Sequence, residues 1–84
     1  RSHSKDLNIL LGKVGYAAFE VVLAARAAVL AEASNDRVLT DVADLVFHTL
    51  VMLDRLGISH NEVLDALASR QGLSGLQEKA SRNQ

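Results

Sequence analysis

The sequence predicts an all-α protein whose centre is an antiparallel hairpin of two long helices. Hydrophobic residues make up 49% of the 84 residues, and most of them are alanine, valine and leucine, a composition that favours helices. The chain contains no proline, so nothing of that kind interrupts a long helix. Two long apolar segments flank the turn-forming sequence SND at residues 34–36, and helices joined by so short a connection pack antiparallel.

The first predicted element is one long helix over residues 5–33. From Val14 onward its apolar residues are so dense that nearly every face of the helix is apolar, which predicts burial on more than one side. The second predicted helix covers residues 37–56 and ends at Gly57, because glycine commonly follows the last helical turn.

Two short helices are predicted after the hairpin. The sequence SHNE is a capping box, in which Ser59 is the N-cap and Glu62 its partner three residues later. The third helix therefore begins there and stops near Gly72. The sequence SGLQ at residues 74–77 has the same pattern and predicts a last short helix.

The length allows one domain, which we expect to span residues 1–84. Residues 1–4 could be a cloning remnant, and residues 73–84 form a tail that carries the last short helix. Two helices cannot bury apolar surface on all sides. We therefore expect a homodimer in which two hairpins form a four-helix bundle.

Composition and charge exclude several classes of protein. The net charge is −1, which does not favour binding to nucleic acid. The most apolar stretch, residues 16–31, is interrupted by Glu20 and Arg26 and is expected to be too short and too polar to span a membrane. No signal peptide is visible in the polar N-terminal residues, and there is no cysteine to form disulfides. The expected location is the cytoplasm.

Polar residues interrupt the apolar hairpin at matching levels. On the second helix Asp41, Asp44 and His48 follow the spacing i, i+3, i+7, which places them on one stripe. Counted from the loop, Glu20 of the first helix faces the level of Asp44 and His48, and Arg26 falls opposite Asp41. Buried carboxylates are costly unless they are paired or hold a cation.

Two interpretations of this polar stripe stay open on the residues alone. It could be a paired network, in which Arg26 neutralises Asp41 and His48 binds Asp44 or Glu20. It could also be a site for a hard cation, because carboxylates from facing helices suit Mg²⁺ or Mn²⁺. A metal-activated water attacking a phosphate would then be the natural chemistry.

Several segments resemble a known enzyme family. The sequences KVG with EVVLAA, DVADLVFHTLV, GISHNEVLDAL and RQGLSGLQEKASR, in order from Lys13 to Arg82, are similar to phosphoribosyl-ATP pyrophosphatase of histidine biosynthesis. The resemblance implies an all-α homodimer that uses Mg²⁺ to hydrolyse phosphoribosyl-ATP to phosphoribosyl-AMP and pyrophosphate.

The resemblance also implies the site residues, and it reveals a depleted metal site. The family pairs an E-x-x-E motif, usually within GEExxE, with an E-x-x-D motif on the next helix. Glu20 matches the last acid of the first motif, whereas Tyr16 and Ala17 stand where two glutamates are expected. Asp41 and Asp44 match the second motif, with aspartate in place of glutamate at its first position. The implied metal ligands are Glu20, Asp41 and Asp44, and the implied catalytic residues are Glu20, Asp44 and His48.

Fewer carboxylates imply a Mg²⁺ or Mn²⁺ site that is weak or absent, and whether the chain is an active enzyme stays open at this stage. The alternative is a non-catalytic relative that binds nucleotide or dimerises. With the resemblance, residues of the C-terminal part are candidate contacts to the nucleotide's phosphates or ribose, whereas on the residues alone their charged side chains would be solvated surface charges. These residues are Arg70, Ser74, Gly75, Lys79 and Arg82.

Overall fold

The computed structural model describes residues 2–31 and 34–71, and this part of the chain forms three α-helices without a strand. The all-α class predicted from the sequence is therefore confirmed. The helices are α1 (Ser2–Leu30), α2 (Asp36–Leu56) and α3 (His60–Gln71). The short helix predicted from residue 74 onward lies outside the described residues.

The first two helices pack against each other as the predicted hairpin. Ala17 and Ala24 are the buried apolar residues of the described part, with 3% and 8% of their surfaces exposed. They are seven residues apart and therefore lie on the same face of α1. Their small side chains allow α2 to approach this face closely.

Local sequence explains both ends of α2. At its start the Ser34 hydroxyl accepts a hydrogen bond from the backbone N–H of Asp36, at 3.0 Å. At its end Gly57 adopts the left-handed conformation, with φ 75°. The backbone N–H groups of Gly57 and Ile58 then donate to the carbonyls of Asp54 and Leu53, at 3.1 and 2.9 Å. This pair of bonds satisfies carbonyls that the helix leaves without partners.

The capping box predicted at the start of α3 is confirmed. The backbone N–H of Ser59 donates to Oε2 of Glu62 at 2.9 Å. In return, the backbone N–H of Glu62 donates to Oγ of Ser59 at 3.2 Å. Both bonds satisfy donors at the helix N-terminus, so α3 begins one residue after the predicted N-cap.

The single chain leaves much apolar surface uncovered. Its accessible surface is 6789 Å², whereas a compact protein of 9.0 kDa exposes about 4,900 Å². Its radius of gyration is 16.4 Å, against about 12 Å for a compact domain of this length. Exposed apolar residues follow α2 at helical spacing. We call Leu39, Val42, Val46 and Leu50, between 38% and 67% exposed, the α2 stripe.

The sequence prediction judged the first helix too short and too polar to span a membrane, but the helix in the structure passes both criteria. By length and composition alone, Lys5–Leu30 would suffice to cross a membrane, with a mean hydropathy of 1.5 in its most apolar window. The prediction applied the membrane test only to residues 16–31 and not to the whole helix, which it placed over residues 5–33. Such a helix is also typical of the core of a helical bundle, so this property does not by itself indicate a membrane protein.

Candidate functional site

A cluster of charged side chains joins α1 to α2. The Arg37 guanidinium of α2 lies between two carboxylates: its Nε is 3.3 Å from Oδ2 of Asp41, and its Nη2 is 3.9 Å from Oε1 of Glu20. Asp41 follows Arg37 by one turn of the same helix, whereas Glu20 belongs to α1. The two long helices thus direct two carboxylates toward the same cation. We call Glu20, Arg37 and Asp41 the interhelical cluster.

The two carboxylates of this cluster are less exposed to solvent than the guanidinium of Arg37. The side chain of Asp41 is 15% exposed and that of Glu20 is 27% exposed, whereas Arg37 is 71% exposed. Oδ2 of Asp41 is buried without a hydrogen-bond partner, so its contact with Arg37 is ionic. The cluster borders a cavity of about 200 Å³. The other lining residues are Leu23, Ala24 and Ala27.

Asp44 and His48 form a separate pair on α2. Nε2 of His48 lies 3.3 Å from Oδ1 of Asp44, one turn apart. The histidine is 19% exposed and the aspartate 57%. The ring of Phe47 stands edge-on to His48, with 5.3 Å between centroids, and so restricts the imidazole. The predicted contact between His48 and Asp44 is therefore confirmed.

Tyr16 adds a hydroxyl to the first-helix side of the interhelical cluster. A hydrogen bond to Glu20 and the negative charge of that carboxylate raise the pKa of Tyr16 above its ordinary value of 10.0. Both effects favour the neutral phenol over the phenolate. Tyr16 thus stands beside Glu20 as a neutral phenol, where the family motif would place a further carboxylate.

The three predicted metal ligands divide between the two sets of side chains. The structure brings Glu20 and Asp41 together through Arg37, while Asp44 pairs with His48. Within residues 2–31 and 34–71, no three His, Cys, Asp or Glu side chains are grouped closely enough to hold a metal ion. The sequence pattern correctly placed Asp41, Asp44 and His48 along α2. The prediction that Asp41 and Asp44 meet Glu20 in one group of three carboxylates is not what the structure shows.

The predicted partner of Asp41 is wrong. The sequence interpretation paired it with Arg26, but in the part of the chain that the structure describes its salt bridge is with Arg37. Counting residues from the loop estimates the level of a side chain along the hairpin. It does not give the rotation of each helix, and Arg37 is already adjacent to Asp41 by the i, i+4 spacing. That spacing was the signal that could have identified Arg37.

The two positions where the family has glutamates lie in different environments. Ala17 is almost fully buried, with 3% of its surface exposed, whereas Tyr16 is 66% exposed. Ala17 precedes Glu20 by three residues and therefore lies on the same side of α1. The chain thus has a methyl group at an inward-facing position where the resemblance implies a carboxylate.

The predicted nucleotide contacts are only partly within the described residues. Arg70 lies in the last turn of α3 and is exposed, as expected for a side chain that reaches a ligand. The other four positions are outside the described part of the chain. They are Ser74, Gly75, Lys79 and Arg82.

The sequence interpretation missed an apolar groove between α2 and α3. Its volume is about 380 Å³, and it includes Val46 and Leu50 of the α2 stripe. The remaining lining residues are Leu45, Thr49, Leu53, His60, Val63 and Leu64. The groove depends on the angle between the two helices, which periodicity within each helix does not provide.

The interhelical cluster fits a metal that needs few protein ligands. Mg²⁺ is often bound by one or two carboxylates and completes its octahedron with water and substrate phosphates. Glu20 and Asp41 could supply two such carboxylates, and the buried Oδ2 of Asp41 has no hydrogen bond to lose. The donor chemistry is therefore suitable for Mg²⁺ or Mn²⁺.

The fold and the cluster define a class of all-α proteins with an acidic site between two antiparallel helices. A family model described as phosphoribosyl-ATP pyrophosphohydrolase matches residues 2–71, and the chain belongs to this family. The predicted resemblance is therefore confirmed.

Curated relatives called phosphoribosyl-ATP pyrophosphatase match nearly the whole chain. The protein from Cupriavidus metallidurans is 50% identical over 83 residues, which are 95% of this chain and 68% of that protein. The protein from Hydrogenovibrio crunogenus is 43% identical, over 96% of this chain and 71% of its own length. The protein from Ralstonia pickettii is 42% identical, over 98% and 68%. No solved structure matches the chain.

Proposed function

We propose that the chain hydrolyses phosphoribosyl-ATP to phosphoribosyl-AMP and pyrophosphate, as a member of the pathway that makes histidine. Family membership supports the reaction class. The observation that carries the proposal at the level of this chain is the interhelical cluster. Glu20 of α1 and Asp41 of α2 direct their carboxylates toward one cationic group, as a metal site between these helices requires.

The metal proposed for the reaction is Mg²⁺, or Mn²⁺ in its place. Glu20 and Asp41 are its first two ligands, and Asp44, one turn after Asp41, is the third. Bound there, the metal would supply an activated water and neutralise phosphate charge. Occupancy is expected to be weak because Tyr16 and Ala17 provide no carboxylates, and Mg²⁺ tolerates little deviation from ideal geometry.

His48 has a separate proposed role beside the metal. Its Nε2 contacts Asp44, which orients the imidazole, and histidine is the side chain most suited to exchange protons near neutral pH. We assign it to proton transfer during attack on the phosphate, with Glu20 and Asp44 as the other catalytic residues.

The nucleotide is proposed to bind at the C-terminal side of the site. Arg70 is exposed on α3, and arginine binds phosphate oxygens through two parallel hydrogen bonds. The other proposed phosphate or ribose contacts follow it in sequence. They are Ser74, Gly75, Lys79 and Arg82.

A second copy of this chain is proposed to cover the α2 stripe and the groove beside it. The surface of the single chain exceeds that of a compact protein of its mass by about 1,900 Å². That excess per chain is larger than the roughly 800 Å² that each partner buries in a standard interface, and twice this excess lies in the range of obligate dimers, about 2,000–5,000 Å² in total. We propose a homodimer in the cytoplasm, without a membrane or nucleic acid as partner.

Pyrophosphate release tests this function. The purified chain is incubated at high concentration with phosphoribosyl-ATP and Mg²⁺, and pyrophosphate is measured with and without a chelator. We expect slow release that requires Mg²⁺ and is lost in Asp44→Asn, while Asp54→Asn, at the other end of α2, retains it. No release above the enzyme-free rate would overturn the proposal.

The alternative is a non-catalytic relative that binds nucleotide or only dimerises. It is favoured by one observation, the buried methyl group of Ala17 at a position where the family has a carboxylate. Binding of phosphoribosyl-ATP without pyrophosphate release would support this alternative. Release that depends on Asp44 would exclude it.

A further inference from the structure

We propose that Arg37 is the resident counter-ion of Glu20 and Asp41, and that a divalent cation must displace its guanidinium to occupy the site. This inference rests on the proposed metal site and adds that Arg37 competes with the metal for the two carboxylates. Arg37 would lower the affinity of the free protein for metal.

The Arg37 guanidinium uses the same oxygens that a metal would need. Nε of Arg37 lies 3.3 Å from Oδ2 of Asp41, the buried oxygen without a hydrogen bond. Nη2 approaches Oε1 of Glu20 at 3.9 Å. One positive charge therefore already stands between two carboxylates. A divalent cation placed between the same oxygens would experience both steric conflict and repulsion from this guanidinium.

The position of Arg37 is unfavourable for its own helix. It lies in the first turn of α2, which begins at Asp36, and the helix macrodipole disfavours a cation there. An arginine four residues before an aspartate is also the less favourable order for a pair within one helix. Helix stability therefore does not explain an arginine at this position, whereas the two carboxylates do.

The Arg37 side chain can leave the two carboxylates. Its side chain is 71% exposed, and a pair with an exposed partner contributes roughly 0–1 kcal/mol. Its long aliphatic stem allows the guanidinium to turn toward solvent while both carboxylates stay in place. Arg37 therefore opposes metal binding without preventing it.

The test is Mn²⁺ binding in the absence of nucleotide. Wild type and Arg37→Gln are titrated with Mn²⁺ by calorimetry, and Asp41→Asn identifies heat that comes from this site. The matched control is Arg55→Gln, which removes the same charge from the last turn of α2, about 27 Å away along the helix. Thermal unfolding with and without Mn²⁺ provides a second readout.

We expect Arg37→Gln to bind Mn²⁺ about 2- to 5-fold more tightly than wild type, the upper part of the range that follows from breaking an exposed ion pair. Arg55→Gln should match wild type, and Asp41→Asn should abolish the gain. Equal or weaker binding by Arg37→Gln would overturn the inference. So would an equal gain in Arg55→Gln, or undetectable Mn²⁺ binding by both wild type and Arg37→Gln.

This experiment is independent of catalysis. Tighter Mn²⁺ binding by Arg37→Gln, together with no pyrophosphate release by wild type, would support the counter-ion role and reject the proposed hydrolysis. Pyrophosphate release by wild type, together with unchanged Mn²⁺ binding in Arg37→Gln, would support the proposed hydrolysis and reject the counter-ion role.

Discussion

Tyr16 lies one helical turn before Glu20, and the interaction with the Glu20 carboxylate raises the pKa of its hydroxyl. The phenol is thus the immediate neighbour of the one acid that remains from the first motif. It adds no negative charge of its own. The interhelical cluster consequently has two carboxylates and one guanidinium. A further glutamate would make the net charge of this cluster more negative.

The pKa of Tyr16 reports the charge of Glu20. In Glu20→Gln we expect this pKa to fall toward 10.0, because the phenolate no longer faces a carboxylate. Tyr16 is the only tyrosine and there is no tryptophan, so tyrosinate absorbance measures it directly. Asp54→Asn serves as the control. An unchanged pKa in Glu20→Gln would contradict the contact.

The raised pKa of Tyr16 also predicts how stability depends on pH. In the alkaline range the folded state holds the Tyr16 proton more tightly than the unfolded state. Stability from this group is therefore complete below pH 10.0 and decreases as pH rises through the folded-state pKa. Urea unfolding across this range should show the decrease in wild type and a smaller one in Glu20→Gln. Equal slopes in the two proteins would contradict it.

Restoring a carboxylate at position 17 should make folding depend on metal. Ala17→Glu buries a charge three residues from Glu20, and we expect a loss of about 2–4 kcal/mol in the free energy of unfolding without metal. Added Mn²⁺ should recover much of this loss, because it binds the folded state. Tyr16→Glu, at an exposed position, is the control and should cost less than about 1 kcal/mol.

Thermal unfolding of both variants with and without Mn²⁺ makes this measurement. A loss in Ala17→Glu that Mn²⁺ leaves unchanged would show that position 17 does not face the metal site. It would also remove the physical reason for calling the site depleted.

The α2 stripe should control the oligomeric state. In Leu50→Glu a charge enters the proposed interface, and we expect a shift from dimer to monomer, with the affinity between the two copies lowered by at least about 100-fold, as for an unpaired charge in an interface. Sedimentation at several chain concentrations measures the shift. Asn61→Glu, an exposed polar position on α3, should leave the dimer intact. A monomeric wild type, or a dimeric Leu50→Glu, would contradict the proposed interface.

Gly57 should be the most sensitive turn position among the described residues. Its φ of 75° is costly for a residue with a Cβ atom, and Gly57→Ala should lose about 1–2 kcal/mol of unfolding free energy. Gly57→Asn should lose less, since asparagine tolerates this conformation. Urea unfolding at one chain concentration compares the variants, and equal stability of Gly57→Ala and wild type would contradict the assignment.

Local signals made much of the fold predictable. The capping box of Ser59 and Glu62 and the C-terminal glycine of α2 depend on residues three or four apart, and both appear where the sequence placed them. The predicted hairpin depends on apolar periodicity and a short connection. These features need no knowledge of how one helix is rotated against another.

The candidate site was less predictable because it depends on that rotation. The spacing of Asp41, Asp44 and His48 correctly placed them along α2. It could not show that Asp41 turns toward Glu20 while Asp44 remains 57% exposed beside His48. Arg37 was overlooked because it precedes the acidic motif and has no counterpart in the family pattern considered.

The most direct test is a Mn²⁺ titration of wild type with and without phosphoribosyl-ATP. Two or three carboxylates leave metal positions for water and phosphate oxygens, so the nucleotide should tighten Mn²⁺ binding by about tenfold or more. Glu20→Gln and Asp41→Asn should each remove this gain. Mn²⁺ binding that is absent, or that is the same with and without the nucleotide, would contradict a metal-dependent nucleotide site between α1 and α2.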